Sequence, residues 1–170
     1  MTTNTDPLLY LDIDGVLLRR RHAGMFDAFE IAPDCLDFLE WATHRFQCRW
    51  LSSRCRVGWP DGTLRAFRHA GARLDDDSRW HVLRLIEKTA WRVNKTEAID
   101  PASDFWWVDD DPTEIDRCWL LTHHRGDRLI QVSSDLHPAA LAVARARLEH
   151  AISDRESRCP ETIRNSAGSS

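Results

Sequence analysis

The chain has 170 residues, 42% of them hydrophobic and 29% charged, with a formal net charge of −4 at pH 7. That suits one soluble globular domain with a real core and excludes wholesale disorder; the acidic balance also excludes a global pull toward nucleic acid, so any polyanion site has to be a local patch. Cys35, Cys48, Cys55, Cys118 and Cys159 contain no Cys-x-x-Cys pair, so reduced thiols are expected rather than a disulfide framework or a zinc site.

The opening Met-Thr-Thr-Asn-Thr-Asp-Pro lacks the basic start and apolar stretch of a secretory signal. No run approaches membrane-spanning length, so the cytoplasm is the expected location and no membrane partner is expected. Strand-like and helix-like segments then alternate, which predicts an α/β fold: a three-layer sandwich around a mainly parallel, Rossmann-like central sheet. Leu8 to Asp12 reads as the first strand. Val16 to Arg19 and Ala28 to Ile31 flank Arg20, Arg21, His22, Ala23 and Gly24 as a hairpin. Pro33 and Asp34 open a helix whose apolar positions Cys35, Phe38, Leu39, Ala42 and Phe46 keep helical spacing.

The second strand, Cys48 to Leu51, runs into Ser52, Ser53 and Arg54. Asp61 is placed to cap a helix carrying Leu64 and Phe67, and Gly71 to end it. Asp75, Asp76 and Asp77 read as a solvated loop, and Trp80 to Ile99 as mostly helical with a break near Trp91 to Asn94. Phe105 to Val108 is apolar throughout, as a central parallel strand should be. Asp109 and Asp110 come directly after it, and Asp111-Pro112-Thr113-Glu114 has the form of a helix start with Asp111 as the cap. Leu129 to Val132 makes a fourth strand, and Leu141, Ala144, Leu148 and Ile152 mark the inner face of a last helix. Residues 1–152 are thus expected to form one domain, with 153–170 a loose polar tail.

Ligands of a parallel α/β sheet gather at the carboxyl ends of its strands, so the residues just past each strand carry the chemistry. Asp12 and Asp14 end the first, one residue apart and able to face the same way, with Gly15 free to bend beside them. An EF-hand calcium loop fails, because aligning Gly15 with its glycine puts Tyr10 and Arg21 where carboxylates are required. Ser52 comes after the second strand, Lys95 precedes the third, and Asp109 and Asp110 end it. A nucleophile, a proton carrier, a hydroxyl donor, a cation and metal carboxylates are the parts needed to transfer one phosphoryl group. His123 and His124 lack metal spacing and read as surface or packing residues.

Over roughly residues 8 to 135 the chain resembles the haloacid dehalogenase-like superfamily of phosphohydrolases. Its four motifs are matched in order by Asp12-Ile13-Asp14-Gly15-Val16, Trp50-Leu51-Ser52-Ser53, Lys95, and Trp107-Val108-Asp109-Asp110. The resemblance implies a Mg²⁺-dependent phosphatase in which Asp12 becomes an aspartyl phosphate and Asp14 serves as acid and then base. It also implies that Ser52, Ser53 and Lys95 hold the phosphoryl group. Mg²⁺ would sit on Asp12, the backbone carbonyl of Asp14 and Asp110, with Asp109 in support. Lys88 is the alternative to Lys95, which the helix continuing from Thr96 to Ile99 favours.

The intervals from Asp14 to Ser52 and from Ser52 to Lys95 are too short for a sheet-bearing cap, so a capless enzyme is expected. An open site suits a large substrate such as a nucleic-acid end or a phosphorylated protein, or a lid lent by a partner. Arg19, Arg20, Arg21, His22, Arg54 and Arg56, with Trp59, would then form a cationic rim. The competing expectations are a small-molecule or nucleotide phosphatase and a binding module that kept the fold with little catalysis.

Overall fold

The apolar run Leu8–Leu11 forms β1, the middle strand of the sheet, with Leu9, Tyr10 and Leu11 fully buried. A computed structural model describes residues 6–23, 26–55 and 62–158. After β1 come β2 (Leu18–Ala23), β3 (Phe26–Ile31), α1 (Cys35–Thr43), β4 (Gln47–Trp50) and α2 (Gly62–His69). The chain continues through β5 (Glu87–Lys88), β6 (Phe105–Asp109), α3 (Glu114–Thr122), β7 (Leu129–Gln131) and α4 (Ala140–Arg158). Five strands make a parallel sheet in the order β5-β4-β1-β6-β7, and β2 pairs with β3 as a separate antiparallel hairpin. This is the expected α/β, Rossmann-like arrangement.

Strand alternation divides the core in two. Leu9 and Leu11 of β1 join Trp106 and Val108 of β6 in a large cluster with α1, α2 and α4. Tyr10, Phe105 and Trp107 belong to a smaller cluster with Leu120 of α3, Trp91 and Ile99. Each fully buried Leu, Val or Phe contributes about 1.5–3 kcal/mol relative to exposure, so these runs fix the strands and, with them, the residues at their carboxyl ends. Leu11 lies opposite both Trp50 and Val108, which brings the residues after β1, β4 and β6 to one edge of the sheet.

Several boundaries differ from the sequence reading. Trp80 to Ile99 is not mainly helical: Ser78–Arg84 is a 3₁₀ segment, β5 adds an edge strand, and a second 3₁₀ turn spans Lys95–Ala98. Arg79 binds Asp37 and Glu40 and draws the first segment onto α1. Phe46 lies beyond α1, yet it is buried and its N–H still bonds the Ala42 carbonyl.

The cap of α3 is Thr113, which accepts from Asp116 N–H while its own N–H donates to the Asp116 carboxylate; Asp111 is not the cap. The polar stretch after Ile152 stays helical to Arg158, and Arg155 ties it to Asp104, just ahead of β6. Residues 159–170, and the expectations on Gly24, Arg56, Trp59, Asp61 and Cys159, lie outside the described residues. Among the described residues, the span from Ser52 to Lys95 holds a 3₁₀ turn at Ser53–Cys55, α2, the 3₁₀ segment Ser78–Arg84 and β5, and β5 belongs to the main sheet. No helix among them is long and apolar enough to cross a membrane.

Candidate active site

Asp12 comes directly after β1 and Asp109 ends β6, so the two acids arrive side by side from adjacent strands, almost wholly buried. Lys95 joins them: its Nζ donates to Asp12 Oδ2 and to Asp109 Oδ2, each at 2.6 Å. Asp109 Oδ2 also accepts from Trp107 Nε1 at 3.0 Å, and its Oδ1 from Asp111 N–H at 3.0 Å. Asp12 Oδ1 accepts from Ile13 N–H at 2.7 Å. The loop before Lys95 is set by Glu97, whose carboxylate takes the N–H groups of Arg92, Val93 and Asn94.

Burial alone would lower the Lys95 pKa, but the Asp12 and Asp109 carboxylates outweigh it and hold the ammonium above the usual lysine range. Burial, then the charge of Asp12, pushes Asp109 upward against the opposing pull of Lys95. The same two causes push Asp110 up to about 6. Like charges have been crowded here, and only part of that crowding is relieved within the chain.

Asp12, Asp109 and Asp110 each offer a carboxylate oxygen within 4.8 Å of the others. Asp110 gets there because residue 15 is a glycine. Gly15 has φ +78, a region that side chains disfavour, and a Cβ on it would overlap Asp110 Oδ2. The Gly15 turn is held from the far end of the sheet, since Ser134 N–H donates to the Gly15 carbonyl at 2.7 Å and Ser134 Oγ donates to the Val16 carbonyl. Three carboxyl groups around one ammonium make a set of hard oxygen donors that could hold a metal ion.

Asp14 faces a different neighbour. Its Oδ1 accepts from Arg54 Nε at 2.9 Å and Nη2 at 2.7 Å, and both side chains are about one-quarter exposed. The Arg54 guanidinium carbon lies 5.2 Å from the Phe29 ring centre on β3. Ser52 is fully buried after β4, and its Oγ receives Arg54 N–H at 3.5 Å, the outer limit of a hydrogen bond. Ser53 is exposed at the start of a 3₁₀ turn. Lys88 has an exposed place on β5, whereas Lys95 bridges the carboxylates.

Three of the four described arginines expected at the rim have an acidic partner. Arg19 pairs with Glu30, Arg20 with Asp135 and Arg54 with Asp14, while Arg21 is exposed. His22 lies on β2. His123 and His124 are exposed at the end of α3, and His123 stacks on Trp119. Asp75 and Asp76 are exposed, as expected of a solvated loop, and Asp77 caps the 3₁₀ segment after it. Cys35, Cys48, Cys55 and Cys118 are free thiols, and burial pushes Cys48 up to about 12.

Sequence reasoning did not find Ser134, Glu97 or the Arg54–Asp14 pair. Ser134 was within reach, because it lies just past the fourth predicted strand, where the same rule of strand ends applies. No family model and no curated protein matches the chain.

Proposed function

We propose that the chain is a divalent-metal-dependent phosphoric monoester hydrolase with a core of the haloacid dehalogenase-like type. The observation that carries this reading is Lys95 Nζ at 2.6 Å from both Asp12 and Asp109, with Asp110 beside them, at the carboxyl ends of two adjacent central strands. An Asp12 oxygen attacks phosphorus and forms an aspartyl phosphate as the bond to the leaving oxygen breaks. Asp14 gives that oxygen its proton. Asp14 then takes a proton from the water that attacks the phosphorus, which breaks the Asp12–phosphorus link and releases phosphate.

Lys95 holds the Asp12 carboxyl group in place as a nucleophile and offsets the charge that develops on the phosphoryl oxygens. Ser52 and Ser53, at the end of β4, are the chain's hydroxyl and N–H donors for those oxygens in this reading. Asp12, Asp110 and the Asp14 carbonyl would hold Mg²⁺, with Asp109 supporting from Lys95. Bound there, the cation supplies Lewis-acid compensation between carboxylate and phosphate.

The absence of a sheet-bearing lid between Ser52 and Lys95, among the described residues, supports a large substrate such as a phosphorylated nucleic-acid end. A second reading, a small-molecule or nucleotide phosphatase, draws support from the ion pairs that neutralise Arg19, Arg20 and Arg54. Turnover of an aryl phosphate with Mg²⁺, measured beside Asp12→Asn, tests the core claim. Loss of at least about 10³-fold in a variant that still folds is expected, as for removal of a nucleophile. An inactive parent chain would leave a binding module as the better reading. A preference for a phosphorylated oligonucleotide over a sugar phosphate that fades with salt supports the large substrate, and a salt-insensitive preference for the sugar phosphate supports the small one.

A further inference from the structure

We propose that Arg54 is a positioning residue for proton transfer: it fixes the Asp14 carboxyl group toward the leaving oxygen, and the β2–β3 hairpin fixes Arg54 through Phe29. This rests on the phosphatase reading and adds a residue to it. Both donors of Arg54 go to one oxygen, Asp14 Oδ1, rather than one to each oxygen as in a forked arginine–carboxylate pair. That pattern ties the carboxyl group down by one corner and leaves Oδ2 to carry the proton. An aspartate on a turn, one-quarter exposed, would otherwise sample several side-chain angles, and a misplaced proton donor loses most of its effect.

Arg54 is itself held on three sides. Its guanidinium faces the Phe29 ring, which leaves the planar cation little freedom to swing. Its backbone sits in a 3₁₀ turn closed by Cys55 N–H to the Ser52 carbonyl at 2.9 Å. The first residue of α2, Gly62, packs so closely that a Cβ there would overlap the Arg54 carbonyl oxygen. An arginine built to grip phosphate would have its fork open to the site. Here Nε and Nη2 are already engaged by Asp14.

In the step concerned, an Asp12 oxygen bonds to phosphorus as the bond from phosphorus to the leaving oxygen breaks, the leaving oxygen keeps that electron pair, and the proton on Asp14 moves to it. The products are the Asp12 acyl phosphate, a neutral alcohol and an Asp14 carboxylate, which Arg54 holds for its later task of taking a proton from water. An acidic phenol leaves without much help, whereas an alkoxide needs the proton. Arg54 should therefore matter in proportion to the poorness of the leaving group.

The test compares kcat/KM for 4-nitrophenyl phosphate and an unactivated alkyl phosphate in Arg54→Ala, Arg54→Lys, Asp14→Asn and the Arg54→Ala/Asp14→Asn double variant, with thermal melting as the check on folding. Arg54→Ala is expected to lose at least about tenfold more on the alkyl than on the aryl substrate, part of the ~10²–10⁴ that general acid catalysis supplies. Added to Asp14→Asn it should cost nothing further, because the group it positions is gone. Arg54→Lys keeps the charge without the two fixed donors and should fall between, which preserves the test if the alanine variant folds poorly. Gly62→Ala should reproduce a weaker form of the same selectivity. Equal losses on both substrates, a rise confined to KM, or losses that multiply with Asp14→Asn would make Arg54 a phosphate ligand and overturn the proposal. If those appear in an enzyme whose turnover depends on Asp12, only the role of Arg54 falls; if the parent chain turns over neither substrate, the phosphatase reading falls and this proposal with it.

Discussion

Asp12 and Asp14 stand two residues apart and live in different surroundings. Asp12 comes after a buried strand and shares Lys95 with Asp109, which itself ends a buried strand, so its place is set by the sheet. Asp14 lies past the end of β1, partly open to solvent, and its place is set by a side chain from another loop, Arg54. Among the described residues, the sheet side gathers three carboxyl groups around the Lys95 ammonium, while on the loop side one guanidinium meets one carboxyl group. In the proposed reaction a rigid half serves attack and metal holding and a softer half moves the proton.

The largest effect should come from breaking the rigid half at Lys95. Lys95→Ala removes the one cation between two buried acids, and breaking a buried pair costs about 3–5 kcal/mol. For a domain of this size that lowers the melting temperature by roughly 6–20 °C. Aryl phosphate turnover should fall about 10²-fold, the scale of one lost electrostatic stabiliser. Unchanged melting would show that the bridge does not form in solution.

A smaller and more selective effect is expected from Gly15. Gly15→Ala forces a side chain into a left-handed conformation and into Asp110, a strain of about 1–3 kcal/mol. The Mg²⁺ concentration needed for activity, and for any Mg²⁺-induced rise in melting temperature, should increase. Asp110→Ala should raise that requirement more than Asp109→Ala does, and the opposite order would move the metal toward Asp109. On the soft side, replacing Arg20 and Arg21 by alanine should change stability by less than about 1 kcal/mol, since Arg20 is more than half exposed beside Asp135. It should weaken oligonucleotide use more than aryl phosphate use. Equal weakening would place those arginines at the reacting centre.

The rigid half was the legible one. Four-residue apolar runs such as Leu8–Leu11 and Phe105 to Val108 mark buried parallel strands, and the residues after them are then the site. β5 was not legible because two exposed residues on an edge leave no alternation to read. Arg79, which pulls the preceding segment onto α1, acts across a gap of about forty residues. The extension of α4 was hidden because a polar sequence can stay helical on a distant ion pair such as Arg155–Asp104, which no local pattern marks. The Arg54–Asp14 pair joins residues forty apart through side chains alone, and no local pattern announces it.

Whether Asp12 is the nucleophile is read most plainly by quenching the protein during turnover of a phosphate ester and mapping covalent phosphate by mass spectrometry. A hydroxylamine-sensitive phosphoryl group is expected on the peptide containing Asp12, absent in Asp12→Asn and longer-lived in Asp14→Asn, where the base that activates water is lost. A chain that turns over the ester at full rate with no phosphate on Asp12, or with it on another residue, would contradict that role.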